Sequence, residues 1–282
     1  MKLVSFKING RASYGALNGE QVVDLGQRFG ERYPDLRAVL AAGALPELMA
    51  AAQSAPTLTL GDIELLPVIP NPGKILCVGL NYKSHVAETQ RPDADKPAIF
   101  VRFADTLIAH GAPLVKPAVT GRFDYEGELA IVIGRGGRNI SQADAFEHIA
   151  GYACFNDGTA RDWQRHTHQW IPGKNFAGTG AFGPFLATAD EVGDVNALSI
   201  ATRLNGEVVQ QASLADLIFT LPVIIEYVSA FTTLNPGDVI ATGTPGGVGD
   251  RRTPPLYLKH GDVLEVEISK LGCLRNTVQD EA

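Results

Sequence analysis

Residues 121–134 read GRFDYEGELAIVIG. Leu129, Ala130, Ile131, Val132 and Ile133 form an unbroken apolar run that Gly134 ends, the pattern of a strand buried on both faces. Asp124, Glu126 and Glu128 occupy its front half. Strand side chains alternate, so these three carboxylates are expected on one face. Burying them unpaired would be very costly, so Lys and Arg or a metal cation must neutralise them. A Glu-x-Glu pair on a strand is more often a solvated face. The apolar run directly behind Glu128 argues against that here. Further on, IAGYACFNDGTARD (149–162) brings Asp157 to the end of a second apolar strand. Strand carboxylates plus one Asp at a strand end make an all-oxygen site. Mg²⁺ or Mn²⁺ suits it, and Ca²⁺ also fits, whereas Zn²⁺ draws His or Cys.

The bulk properties narrow the setting. A chain of 282 residues, 45% hydrophobic, suffices for one large domain or for a large domain with a small one. Net charge is −7, the pI is about 5.4, and no basic cluster occurs, which argues against nucleic acid and anionic membrane as partners. MKLVSFKING (1–10) reads as a strand, not a signal peptide, and no apolar run approaches the roughly 20 residues of a membrane span. Cys77, Cys154 and Cys273 are far apart and odd in number, so no disulfide framework is expected and a reducing cytoplasm fits. Cys77 and Cys154 sit in apolar strands and read as small core residues.

Residues 1–70 read as a small N-terminal unit. LVSFKI, ASYGAL and QVVDL are short strands turning at Asn9-Gly10 and Asn18-Gly19. Residues 35–53 are helical, broken at Gly43 and Pro46, and GDIELLPVI (61–69) is another strand. Pro67, Pro70, Pro72 and Gly73 mark the boundary to a second unit, 71–282. There KILCVGL (74–80) is a buried strand, and NYKSHVAET (81–89) a short helix that Asn81 can cap. His85 and Glu88 are three apart and share a face, as a general base and its orienter would; the alternative is an incidental surface pair. RPDADKPAIFVRF (91–103) is a polar loop and then a strand; with the helix before it, the Pro/Asp-rich loop makes residues 81–96 a candidate mobile cover.

His166 and His168 form a His-x-His in a polar loop between Trp163 and Trp170, more in keeping with packed or solvated rings than with metal ligands. Lys174, in a Gly-rich stretch, is either surface decoration or a positive charge for an anion. Residues 195–212 form a hairpin around Asn205-Gly206. Thr220 caps a helix whose core stripe is expected at Ile224, Tyr227, Val228 and Phe231. NPGDVIATGTPGGVG (235–249) lacks the Gly-Lys-Ser/Thr of a P-loop, and no helix follows. Nucleotide binding is therefore excluded, although a Gly-rich backbone can offer N–H groups to a small anion. HGDVLEVEISKLGCLRNTV (260–278) is a final pair of strands.

With these residues in place, the chain resembles the fumarylacetoacetate hydrolase family over residues 72–282. VGLNYKSHVAE, KPAIF, DYEGELAIVIG, NDGTARDWQ, GKNF followed by FGP, LNGEVVQ and PGDVIATGTPGGVG occur in the family's order. The resemblance implies a mainly β fold with some α: a mixed β-barrel or roll as catalytic domain, with a small N-terminal α+β domain. It implies Mg²⁺ or Mn²⁺ held by Glu126, Glu128 and Asp157, with Asp124 outside the ligand set and supporting it. It assigns catalysis to His85, Glu88 and Lys174, and substrate binding to Tyr82, Gln164, Gly243 and Thr244, the last two in the loop Thr242-Gly243-Thr244-Pro245 that meets the substrate carboxylate. The expected partner is a small anionic 2-oxo acid, and the expected assembly a homodimer. The expected reaction is hydrolysis of a C–C bond in an acylpyruvate-like β-diketo acid. The same family holds hydroxyhepta-dienedioate isomerases, oxaloacetate decarboxylases and diketo-deoxy sugar acid hydrolases. One departure is Leu80, where some acylpyruvate-cleaving members carry arginine.

Overall fold

The computed structural model describes residues 1–53, 57–89 and 94–282. The strand expected from the opening stretch is there, but shorter. Gly127–Ile133 is buried along its whole length, and a separate two-residue strand, Phe123–Asp124, precedes it. The long strand's two faces feed two different cores. Leu129, Ile131 and Ile133 pack with Ile224, Val228 and Ile240, while Ala130 and Val132 pack with Phe155, Phe182 and Val239. This double burial is why its sequence shows no polar alternation.

It lies inside a 12-stranded mixed sheet. On one side it pairs antiparallel with Ile149–Asp157, register Gly127↔Asn156 and Glu128↔Phe155. On the other it pairs antiparallel with Val239–Ala241, which pairs in parallel with Ile75–Gly79. A five-stranded sheet packs beside it, made of Leu114–Lys116, the hairpin Ser199–Leu204 and Glu207–Ser213, and the closing pair Val263–Ile268 and Gly272–Asp280. The fold is mainly β with some α, as expected, but neither sheet closes into a barrel.

The N-terminal strands Lys2–Ile8, Arg11–Asn18 and Gln21–Asp24 form the predicted meander, followed by helices Leu36–Ala41 and Leu45–Ala51. The first strand pairs with Gly180–Thr188 (Leu3↔Leu186), so this meander extends the large sheet. We propose residue 70 as the boundary of two folding units that share one sheet.

Three local expectations are corrected. In GDIELLPVI only Glu64–Leu65 pairs as a strand, and Leu60–Asp62 is a 3-10 turn. Asn81 does not cap the helix Lys83–Thr89. Its amide instead donates to Phe219 O and Thr242 O and accepts from Phe219 N–H. In the helix Leu221–Phe231 the buried stripe is Leu221, Ile224, Ile225 and Val228. Phe231 is 54% exposed and leans on Tyr227, because the helix meets its neighbours one position round from the assumed face. The candidate cover 81–96 falls partly outside the described residues. No helix among the described residues is long and apolar enough to cross a membrane.

Candidate metal centre and active site

The register of the two central strands builds the site. The N–H of Asp157 donates to Glu126 O at 2.9 Å, and Asn156 Oδ1 accepts from the Glu126 N–H at 3.1 Å. Glu126 and Asp157 are thus brought together across the ladder, with Glu128 two residues on along the same face. Ligand oxygens of Glu126, Glu128 and Asp157 lie within 4.8 Å of one another, and all three residues are buried. Asp124 does not join them, contrary to strict alternation. The chain leaves the sheet between Asp124 and Gly127, so the two-residue period does not carry through. Asp124 instead accepts from Arg161 Nε at 2.8 Å and from the N–H groups of Gly249 and Asp250.

Three buried cations answer four buried carboxylates. Lys174, in the helical turn Ile171–Lys174, is 1% exposed, and its Nζ lies 2.6 Å from Glu126 Oε2 and 2.5 Å from Asp157 Oδ2. This turn packs tightly: a Cβ on Gly173 would sit 2.4 Å from Gln164 N. Arg161 Nη1 is 2.7 Å from Glu126 Oε1, and Arg102 Nη1 is 2.6 Å from Asp157 Oδ1. Glu128 has no cation of its own among the described residues; it accepts the Gly243 N–H at 2.8 Å. The pKa values follow this distribution. Burial pushes the Glu126 carboxyl up, but Lys174 and Arg161 override it and hold it at about 2. Burial, reinforced by Asp157 and Glu126, pushes Glu128 well above its usual value. Burial favours neutral Lys174, yet Asp157 and Glu126 prevail and its pKa is raised. Four carboxylates against three cations leave one negative charge, and Glu128 is where it is least compensated. A divalent cation bound by oxygens fits this donor set, with Glu126, Glu128 and Asp157 as the residues that would hold it.

The histidine and glutamate expected to act as a pair are also brought together. His85 Nδ1 is 2.6 Å from Glu88 Oε1, and Glu88 Oε2 accepts the Gly247 N–H at 2.8 Å. Glu88 is therefore fixed at both ends, and the geometry assigns the imidazole proton to Nδ1, leaving Nε2 as an acceptor. The strand Ile75–Gly79 delivers this helix through Leu80 in a left-handed conformation (φ +59). The Gly-rich loop does offer its N–H groups to anions, but those anions are this chain's own. Gly243 serves Glu128, Gly247 serves Glu88 and Gly249 serves Asp124. Thr244 Oγ1 donates to Gly127 O and accepts from Gln210.

His85, Glu126, Glu128, Gln164, Lys174 and Thr244 line one cavity of about 70 Å³, with Leu80, Phe100 and Trp170 as apolar wall. Tyr82 is not on that wall. It is fully buried, and its hydroxyl has no hydrogen-bond partner among the described residues. Gly243 acts from behind, through Glu128. His166 and His168 are exposed and outside the carboxylate cluster. Sequence reasoning missed Arg102, Arg161, Asp250 and Arg251. Arg161 stands four residues after Asp157, and Arg102 ends an apolar strand; a charge in such a place was the available signal. Asp250 and Arg251 follow the Gly-rich loop and carry no comparable mark.

Comparison with known proteins identifies the family. The family model for the fumarylacetoacetate (FAA) hydrolase C-terminal domain matches residues 74–279. A curated Xenopus laevis protein, "Oxaloacetate tautomerase fahd2, mitochondrial", is 43% identical over 223 residues, 78% of this chain and 70% of the relative. The human "Oxaloacetate tautomerase FAHD2A, mitochondrial" is 42% identical over 231 residues, 81% of this chain and 74% of the relative. Among solved structures, fumarylacetoacetate hydrolase from Exiguobacterium antarcticum superimposes with a TM-score of 0.88 at 36% identity, covering 100% of both chains. Maleylpyruvate hydrolase from Sphingobium sp. SYK-6, solved with manganese(II) and pyruvate, gives 0.84 at 28% identity, again over 100% of both chains.

Proposed function

Since this chain belongs to the fumarylacetoacetate hydrolase family, we propose that it is a divalent-metal-dependent enzyme that enolises a small 2-oxo acid, its reaction being keto–enol tautomerisation of a four-carbon substrate of the oxaloacetate kind. One observation carries this reading: Glu126 and Glu128, which cluster with Asp157, line one cavity with a histidine whose Nδ1 is held by Glu88. Bound there, Mg²⁺ or Mn²⁺ supplies Lewis-acid polarisation and a chelation point for the 2-oxo acid.

The chain's own residues supply the rest. His85 Nε2 takes the proton from the carbon next to the keto group, and the bond electrons move onto the keto oxygen. Lys174, buried and cationic, stabilises the negative charge that grows there. The proton that His85 holds is returned to that oxygen to give the enol. Gln164, beside Arg161 at 3.2 Å, offers a further polar contact to the substrate. The apolar wall of Leu80, Phe100 and Trp170 limits water around the enolate.

C–C hydrolysis of an acylpyruvate is the second reading, favoured by the likeness to the manganese- and pyruvate-bound maleylpyruvate hydrolase. There His85 would activate water for attack on the distal carbonyl. Leu80 on the cavity wall weighs against it, since some acylpyruvate-cleaving members have arginine at that place. The test is to give the Mg²⁺- or Mn²⁺-loaded protein oxaloacetate and fumarylpyruvate, following enol absorbance and product masses. Faster enol–keto exchange of oxaloacetate without a change of mass is expected. Pyruvate plus a second acid from fumarylpyruvate would put hydrolysis first, and silence on both would sink both readings. Three free cysteines support the proposal of a reducing compartment, and the family resemblance that of a homodimer, which sedimentation tests.

A further inference from the structure

Beyond the carboxylate cluster, the same cavity is lined by Arg165, Asp250 and Arg251. Asp250 is nearly saturated. Arg122 Nη2 donates to its Oδ1 at 2.6 Å, Tyr257 OH to the same oxygen at 2.7 Å, and Arg165 Nη2 to its Oδ2. Arg251 is the arginine left over. The one charged partner given for its side chain among the described residues is Asp250, with Nε 4.0 Å from Oδ2, beyond hydrogen-bond reach. Its neighbours are committed: Arg122 also donates to Tyr257 OH at 2.9 Å, and Arg252 holds Gly247 O and Val209 O. Three guanidinium groups around one carboxylate leave this part of the cavity positive. A second, independent sign is Arg161. It is 4% exposed, it lines the same cavity, and its Nη2 is buried with no partner among the described residues.

We infer that Arg251, assisted by Arg165, reads a second carboxylate on the substrate, at the end of the molecule away from its 2-oxo acid group. This rests on the 2-oxo acid reading above and adds which residue sets specificity. A free guanidinium fork matches a carboxylate with two donors, and a substrate carrying a methyl there would leave it unpaired. The partly open position of Arg251, with a side chain 36% exposed, tempers the effect to about tenfold.

The test needs no turnover. Manganese-loaded protein is titrated calorimetrically with malate and with 2-hydroxybutyrate, stable chelating acids that differ by a distal carboxylate against a methyl. Wild type is expected to bind malate about tenfold more tightly. Arg251→Met should bring the two within about twofold without weakening 2-hydroxybutyrate, and Arg251→Lys should keep part of the preference. Binding of both acids with no preference in wild type, or a preference that survives Arg251→Met, overturns this role alone. Binding of neither acid overturns it together with the 2-oxo acid reading.

Discussion

The Gly243 N–H donates to Glu128 Oε2 across 2.8 Å, so the Gly-rich loop holds the one carboxylate of the cluster that lacks a cation of its own among the described residues. The bond needs glycine twice over. Gly243 has φ +106, and a Cβ there would meet the Asn81 Cβ at 2.7 Å. Asn81 cannot yield easily, since its amide ties Phe219 to Thr242.

Gly243→Ala should therefore cost about 2 kcal/mol from backbone strain and close contact, seen as a melting temperature several degrees lower. It should also weaken metal binding, because Glu128 loses its donor. Unchanged metal affinity would show that the loop does not position Glu128.

Glu128→Gln separates stability from metal binding. The folded protein raises the Glu128 pKa above its ordinary 4.5, so folding favours the protonated carboxyl. The metal-free wild type then loses stability as pH rises from that ordinary value toward the raised one. The glutamine variant should lose less over this range and melt no lower than wild type near neutrality. Saturating Mg²⁺ or Mn²⁺ should stabilise wild type by about 2.7 kcal/mol at a hundredfold excess over Kd, seen as a higher melting point, and leave the variant unmoved. A variant still stabilised by metal would remove Glu128 from the ligand set.

His85→Ala and Glu88→Gln should keep that metal-induced shift yet lose turnover by about 10²- to 10⁴-fold, the usual range for a general base. Both residues touch the cavity chemistry through the imidazole, and neither belongs to the carboxylate cluster. Loss of metal binding in both variants would overturn their roles.

Asp250 gives a pH signature away from the metal. Burial raises its carboxyl, but hydrogen bonds from Arg165, Tyr257 and Arg122 overcome this and hold it well below the usual 3.8. Its stabilisation is thus complete above the unfolded value and is lost as pH falls below it. Asp250→Asn should destabilise by roughly 2 kcal/mol near pH 7, discounted because two arginine partners are 43% exposed. The gap between variant and wild type, measured by urea unfolding, should narrow as pH drops below about 4. A gap of constant size would mean that shape rather than charge is lost.

Through its family resemblance the sequence singled out Glu126, Glu128 and Asp157 as one proposed centre; from its residues alone it determined the buried strand, the N-terminal meander, the closing hairpins and a gathering of carboxylates at strand ends. These follow from local facts: an apolar run with no polar alternation, Asn-Gly turns, and carboxylates at strand ends. It also placed His85 and Glu88 on one face of a helix, because three residues make nearly one turn. Only the tertiary structure decided which partner each polar group takes. Asp124 left the metal cluster for Arg161 because the chain steps out of the sheet at Tyr125 and Glu126. Asn81 gave up its helix to hold two distant segments together. The Gly-rich loop turned its N–H groups to Glu128, Glu88 and Asp124, and Lys174 passed from an exposed-loop candidate to the most buried cation of the site. Among the described residues Arg251 was left 4.0 Å from Asp250, whose oxygens had already been filled by Arg122, Arg165 and Tyr257. Periodicity fixes which way a side chain leaves its own strand or helix. The partner it meets is set by residues tens of positions away, and each such pairing is decided by competition for a limited number of donors and acceptors.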